Sequence, residues 1–222
     1  MYNIELNIEP QYLNSLLAFL TNLGKNYPYK VVTRLTSIWR IESIPLSLYF
    51  NHSNHTLLME VLKNLSQIDA PLLADYILNN YGAMSHLKLQ KLLYYCEAYH
   101  LAYFEVNLIH QEFEAWVHGP VCRDVFLQLK SKALLYSDIA FTSDYDPNEK
   151  LKTILTTDQV QLIEDIVSEL VTWTGLQLEA TTHDEKPWIE ARLGVSPAEK
   201  SSQIISKATM MNYYKSELNG RF

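Results

Sequence analysis

The chain begins on a period of two. Tyr2, Ile4, Leu6 and Ile8 alternate with polar neighbours, which predicts a half-buried strand. Residues 10–24, PQYLNSLLAFLTNLG, then open on Pro10 and close on Gly24, the punctuation of a helix. The β-branched and aromatic run YKVVTRLTSIWRI predicts a strand or hairpin, and IPLSLYFN a further strand held to an edge or a strand start by Pro45. Residues 55–68 return to a helical spacing on Leu57, Leu58, Val61, Leu62 and Leu65. Residues 1–68 therefore read as a small β-α-β-β-α unit, near the lower size limit for independent stability.

From Asp69 the pattern is mainly helical. Asp69, Pro71 and Gly82 bracket one helix. Ser85 caps a second, longer one, whose apolar face is Leu89, Leu92, Leu93, Cys96, His100 and Tyr103. Phe113, Ala115 and Val117 alternate against Glu112, Glu114, Trp116 and His118 as a strand. Gly119-Pro120 ends it, and a helix restarts on Val121, Val125, Phe126 and Leu129. Residues 134–153 lack a period and read as a long loop with an acidic tip. Thr156 and Gln159 form a capping box for a helix on Ile163, Ile166, Val167 and Leu170, with Gly175 past its end. A short helix, LQLEATTH, the stretch DEKPWIEAR and a last helix, SQIISKATMMNYYKSEL, complete the chain. The fold class is α+β, predominantly α, with domains at 1–68 and 69–222.

Charge changes this picture only in the second part. Of 18 basic and 25 acidic residues, 5 of each fall in residues 1–70, so the whole net charge of −7 lies beyond them. Such a domain suits a cationic protein surface better than a phosphate backbone, and no aromatic-basic run marks a nucleic-acid platform. Fifteen Tyr against seven Phe favour half-buried surfaces and interfaces. Two cysteines, Cys96 and Cys122, are too few for a disulfide framework and read as reduced thiols of a cytoplasmic protein. The alternating, acid-bearing start MYNIELNIEP does not read as a signal peptide, and no apolar run reaches the roughly 18 residues a membrane span requires.

Several short patterns invite chemistry. Ser85 and Lys88 have the Ser-x-x-Lys spacing of a nucleophile and its base, but Ser85 stands where a helix cap is wanted. His110-Gln-Glu112 lacks the cysteine half of a zinc deaminase site. Asp144 and Asp146 begin like a calcium loop, yet Glu149 replaces the obligatory Gly and Leu155 the bidentate Glu. Cys122 with His118 or His183 could form a nucleophile pair, although a buried thiol explains Cys122 as well. His183, Asp184 and Glu185 could hold a metal or move protons. Against that stands a capped corner, with His183 or Asp184 bonded to a helix start and Trp188 filling the space beneath. Nucleotide-binding fingerprints are absent.

The segments LKLQKLLYYCEAYHLAY, FEAWVHGPVCRDVF, LEATTHDEKPWIEAR and IISKATMMNYY occur in one order. That succession resembles the Panacea antitoxin domain, over about residues 71–216. The family pattern falls on Lys91, Leu92, Tyr94 and Tyr95; on Ala115, Trp116, Gly119, Pro120 and Val121; and on Thr182, His183, Pro187 and Trp188. The resemblance implies a compact helical fold with a small β element and no catalytic residues or cofactor. It implies an antitoxin of a two-gene, type II-like system, often on a prophage, that binds its cognate protein toxin directly. The toxin is expected from the adjacent gene. Family toxins include enzymes that modify tRNA or make alarmones, and SocA-like members deliver the toxin to an ATP-dependent protease. Delivery of that kind and a small hydrolase or metal enzyme built on His183 are the alternatives. Tyr136, Asp138, Asp144, Tyr145 and Asp146 are the expected toxin contacts. Residues 1–68 are expected to dimerise or to set toxin specificity.

Overall fold

The computed structural model describes the backbone of three strands near the N-terminus and then residues 67–130 and 135–220. The chain divides into two units, Met1–Ser66 and Gln67–Phe222. In the first, β1 (Tyr2–Asn7), β2 (Lys30–Thr33) and β3 (Ile38–Ile44) form one antiparallel sheet in the order β1-β3-β2. Ile4 lies opposite Ile41, and Ile41 opposite Val31, so apolar positions share a register across all three strands. The β2–β3 pair is the hairpin expected from YKVVTRLTSIWRI. The helix expected over 10–24, residues 55–66 of the one expected over 55–68 and residues 45–51 of the strand expected over 44–51 lie outside the described residues. The described end of the second helix differs, because Ile68 forms a parallel bridge with Ile109.

In the second unit α1 (Ala70–Tyr81) is followed by β4 (Met84–Ser85) and the long helix α2 (His86–Phe104). Helix α2 is the axis. It packs against α5 (Thr157–Leu170), α6 (Gly175–Asp184), α8 (Lys207–Gly220) and strand β6 (Gly119–Cys122). Its burial extends well beyond one face, and Gln90, Lys91 and Glu97 are as buried as Leu89, Leu92 and Leu93. The expected apolar face was thus too narrow, and its last member, Tyr103, is 66% exposed. A helix enclosed by neighbours needs no polar side, provided each buried polar group has a partner. Glu97 is held by the N–H groups of Leu108 and Ile109 and pairs with Lys207 at 3.0 Å.

Local signals set most helix starts. The Ser85 hydroxyl accepts the Lys88 N–H at 3.3 Å, so Ser85 does cap α2. Thr156 and Gln159 form the expected box at α5. Gln159 then donates to His100 Nε2 at 2.9 Å, while His100 Nδ1 donates to the Val106 carbonyl at 2.8 Å. That set fixes one neutral tautomer and ties the start of α5 to the end of α2; burial lowers the His100 pKa to about 4. A second box, Thr174 with Gln177, places Gly175 inside α6 rather than only past the end of α5. Asp69 departs from expectation. Its side chain makes no cap bond, and Gln111 Oε1 instead accepts the Ala70 N–H at 2.9 Å.

The stretch after Trp116 also differs. Residues Gly119–Cys122 are not a helix start but strand β6, paired antiparallel with β5 (Phe113–Trp116) across a turn at Val117-His118. Helix α3 begins only at Arg123 and runs to Leu129. A third chain segment joins this hairpin: the Ala115 N–H donates to Gln203 O and the Ile205 N–H to Phe113 O, each at 2.8 Å. Residues 202–206 are therefore extended, and the last helix starts at Lys207. The expected long loop is likewise partly ordered. β7 (Asp138–Ile139) pairs with β4, and α4 (Pro147–Lys152) follows, capped by Asp146. Helix α7 (Lys186–Ala191) links α6 towards the 202–206 strand segment.

Candidate functional site

The family-pattern residues converge on the hairpin. Across the β5–β6 ladder Ala115 faces Pro120. Ala115 turns its N–H to Gln203 and its carbonyl to Arg192, so this pair exchanges no ladder bond. Pro120 therefore costs the sheet nothing. Its carbonyl, pointing away from β5, accepts Lys91 Nζ from α2 at 2.9 Å. Lys91 is fully buried, and burial lowers its pKa to about 7 against the pull of Glu179.

Gly119 is what lets the lysine in. It has φ +90, and a Cβ there would stand 2.7 Å from Lys91 Cε, 2.8 Å from Nζ and 2.8 Å from Thr182 Oγ1. The helix expected to restart after Gly119-Pro120 does not do so there, because a partner strand and a buried amine decide the place of Pro120.

His183 and Trp188 meet as a stack with ring centroids 4.1 Å apart. Trp188 Nε1 donates to the Trp116 carbonyl at 3.0 Å, fastening α7 to the hairpin. His183 Nε2 is buried without a hydrogen-bond partner, and α7 starts with no side-chain cap, so neither His183 nor Asp184 caps it as the corner reading required. Burial lowers the His183 pKa. The buried member of this trio is Glu185, which accepts Tyr95 Oη at 3.1 Å and Tyr214 Oη at 2.5 Å. Burial raises its pKa to about 7 in spite of those two donors. Tyr94 completes the knot edge-on to Phe113 at 5.5 Å and to Tyr214 at 6.2 Å, while Leu92 and Val121 lie in the core.

Two connecting residues escaped the motif reading. Arg192 is 5% exposed and donates to four carbonyls: Ala115 at 2.8 Å, Ser196 at 2.9 Å, Pro197 at 3.2 Å and Glu199 at 2.8 Å. Its guanidinium lies 5.1 Å from the Trp188 ring centre. Tyr214, at 1% exposure, closes the Glu185 site from α8. Only their presence inside the quoted segments hinted at either.

The chemistry of the set is that of a fastening. Lys91 is sealed from solvent, and Cys122 is a buried thiol pushed up in pKa by its burial, with its N–H on Gln90 Oε1 at 2.8 Å. Among the described residues no group of three or more His, Cys, Asp or Glu could hold a metal ion. The residues expected to contact a toxin lie elsewhere, from just before β7 to the start of α4. Tyr136 is 61% exposed, and Asp138, Asp144, Tyr145 and Asp146 are also exposed. Three of these have structural work: Tyr145 Oη donates to Asp75 at 2.6 Å, Asp146 caps α4, and Asp138 pairs with Ser85.

Among the described residues no helix is long and apolar enough to cross a membrane. Comparison with curated proteins and with solved structures gives no match. Residues 89–189 match the family model described as "Antitoxin SocA-like, Panacea domain", a span that holds most of α2, the hairpin, α5 and α6 and the His183–Trp188 stack. Over that span the chain is similar to the Panacea domain of SocA-like antitoxins.

Proposed function

We propose that this protein is an antitoxin that neutralises its cognate protein toxin by binding it directly. The match of residues 89–189 to the SocA-like Panacea domain carries the reading. The geometry supports it, because Lys91, Tyr95 and Trp188 of the matched span spend their polar groups on the Pro120 carbonyl, Glu185 and the Trp116 carbonyl. Residues 1–68 are proposed to set toxin specificity or to dimerise. The function of the fold is then to hold an outer surface rigid against a partner, and occlusion needs no reacting group.

The test is co-expression with the product of the adjacent gene. Growth rescue together with co-purification of the two proteins supports neutralisation by binding. An adjacent product that is harmless alone, or that never co-purifies, counts against it. Rescue with loss of the toxin, reversed on deleting an ATP-dependent protease, indicates delivery instead. Rescue that His183→Ala abolishes without changing the melting temperature or the co-purification indicates enzymatic chemistry.

A further inference from the structure

We infer that the groove between α2, α5, α6 and α8 receives an arginine or lysine side chain of the protein partner, an inference that rests on the binding reading above. The groove encloses about 510 Å³. Tyr95 and Tyr99 of α2 and Tyr213 and Tyr214 of α8 line it. Their rings pack against one another, Tyr99 on Tyr214 at 4.9 Å and Tyr213 on Tyr214 at 5.1 Å. Trp173, 38% exposed, lines it beyond the end of α5.

Carboxylates surround these rings. Asp165 and Glu169 stand one turn apart on α5, Asp184 ends α6 and Glu217 is on α8, all four exposed. Glu185 lies among the tyrosines, engaged by Tyr95 and Tyr214. Asp165 accepts Gln161 Nε2 at 2.9 Å. None of the described residues lining the groove is Lys, Arg or His.

That composition selects its occupant. An anion meets like charge from every side. A purely apolar segment covers the carboxylates without pairing them, a costly burial. A cation on an apolar stem satisfies both parts: the methylenes lie on the tyrosine walls and the charged head meets the acids and the faces of Trp173 and the tyrosines. Arginine and lysine are the protein side chains built that way, and arginine adds a planar fork suited to carboxylate pairs. The net charge of −7 acts in the same direction at longer range.

Two arms test this. In the first, the full chain is titrated with a pair of acetylated, amidated pentapeptides, alanine throughout except for a central arginine or its neutral isostere citrulline. Ring resonances of Trp173 and Tyr213 are followed by NMR. The arginine peptide is expected to shift both and to bind at least tenfold more tightly than the citrulline peptide, with the Glu169→Gln/Glu217→Gln double variant losing that preference. Equal response to both peptides, or shifts that miss these rings, overturns the proposal. In the second, the Glu169→Lys/Glu217→Lys variant is expected to bind the adjacent-gene product at least tenfold more weakly at unchanged melting temperature. If it binds as wild type does, the groove proposal falls and the antitoxin reading stands. If wild type does not bind that product, the antitoxin reading falls and the peptide arm still decides the groove.

Discussion

Replacing Gly119 by alanine isolates the contact on which the hairpin is seated. Two costs add. The first is backbone: φ +90 lies where a Cβ is strained, at about 1–2 kcal/mol for an L-residue. The second is steric and polar. The new Cβ would meet Lys91 Cε at 2.7 Å, and Nζ and Thr182 Oγ1 at 2.8 Å, so the amine must leave the Pro120 carbonyl. A buried donor and acceptor left without each other cost about 1–3 kcal/mol. The sum is roughly 2–5 kcal/mol, a large share of the ~5–15 kcal/mol that stabilises a domain, and it lowers Tm by about 10 °C for a unit of this size. The assay is thermal and urea unfolding by far-UV circular dichroism. Gly194 supplies the control, because its φ is +82 and nothing lies within 4 Å of its added Cβ. Gly194→Ala should therefore show the backbone cost alone. Lys91→Met supplies the coupling: in that background the penalty of Gly119→Ala should shrink towards that of Gly194→Ala. The reasoning is refuted if Gly119→Ala costs no more than Gly194→Ala, or if the cost survives unchanged in Lys91→Met.

Two further outcomes follow from the same buried set. Glu185 is raised from 4.5 to about 7, so the folded state holds its proton more tightly and stability falls as pH rises from about 4.5 to about 7. Lys91 is lowered from 10.5 to about 7, so stability rises again from about pH 7 to about pH 10.5. Urea midpoints across that range should show the fall flattened by Glu185→Gln and the rise removed by Lys91→Met; a slope indifferent to either substitution contradicts the assignment. Arg192→Lys should lower stability by about 2 kcal/mol, because one ammonium cannot reach four carbonyls that a planar guanidinium spans. A midpoint equal to wild type in Arg192→Lys would show that those carbonyls need only a charge nearby.

What the sequence determined by itself was short-ranged. Ser85, Thr156 with Gln159, and Gly82 could be read as helix punctuation, because a cap involves residues three or four apart and answers to local geometry alone. The alternation in FEAWVHG marked a strand for the same reason, and YKVVTRLTSIWRI a hairpin. The order of four short segments pointed to the same family whose model residues 89–189 match, since the contacts that make a family leave their residue types in register along the chain. Local rules failed where a distant partner overrode them. Pro120 before an apolar run reads as a helix entry, yet a non-bonded ladder position opposite Ala115 and an amine 29 residues away hold it in a strand. Residues 202–206 carry a helical spacing, but the open edge of β5 takes their backbone groups. Helix α2 displays charged and amide side chains that suggest a solvent face. Enclosure by α5, α6, α8 and the hairpin buries them, and Pro120 O, Cys122 and the Leu108–Ile109 backbone satisfy them. Tertiary structure alone also decided that tyrosines from α2 and α8 share one groove with acids from α5 and α6. Four segments of spaced residues become one surface only when the helices that carry them pack around a common axis.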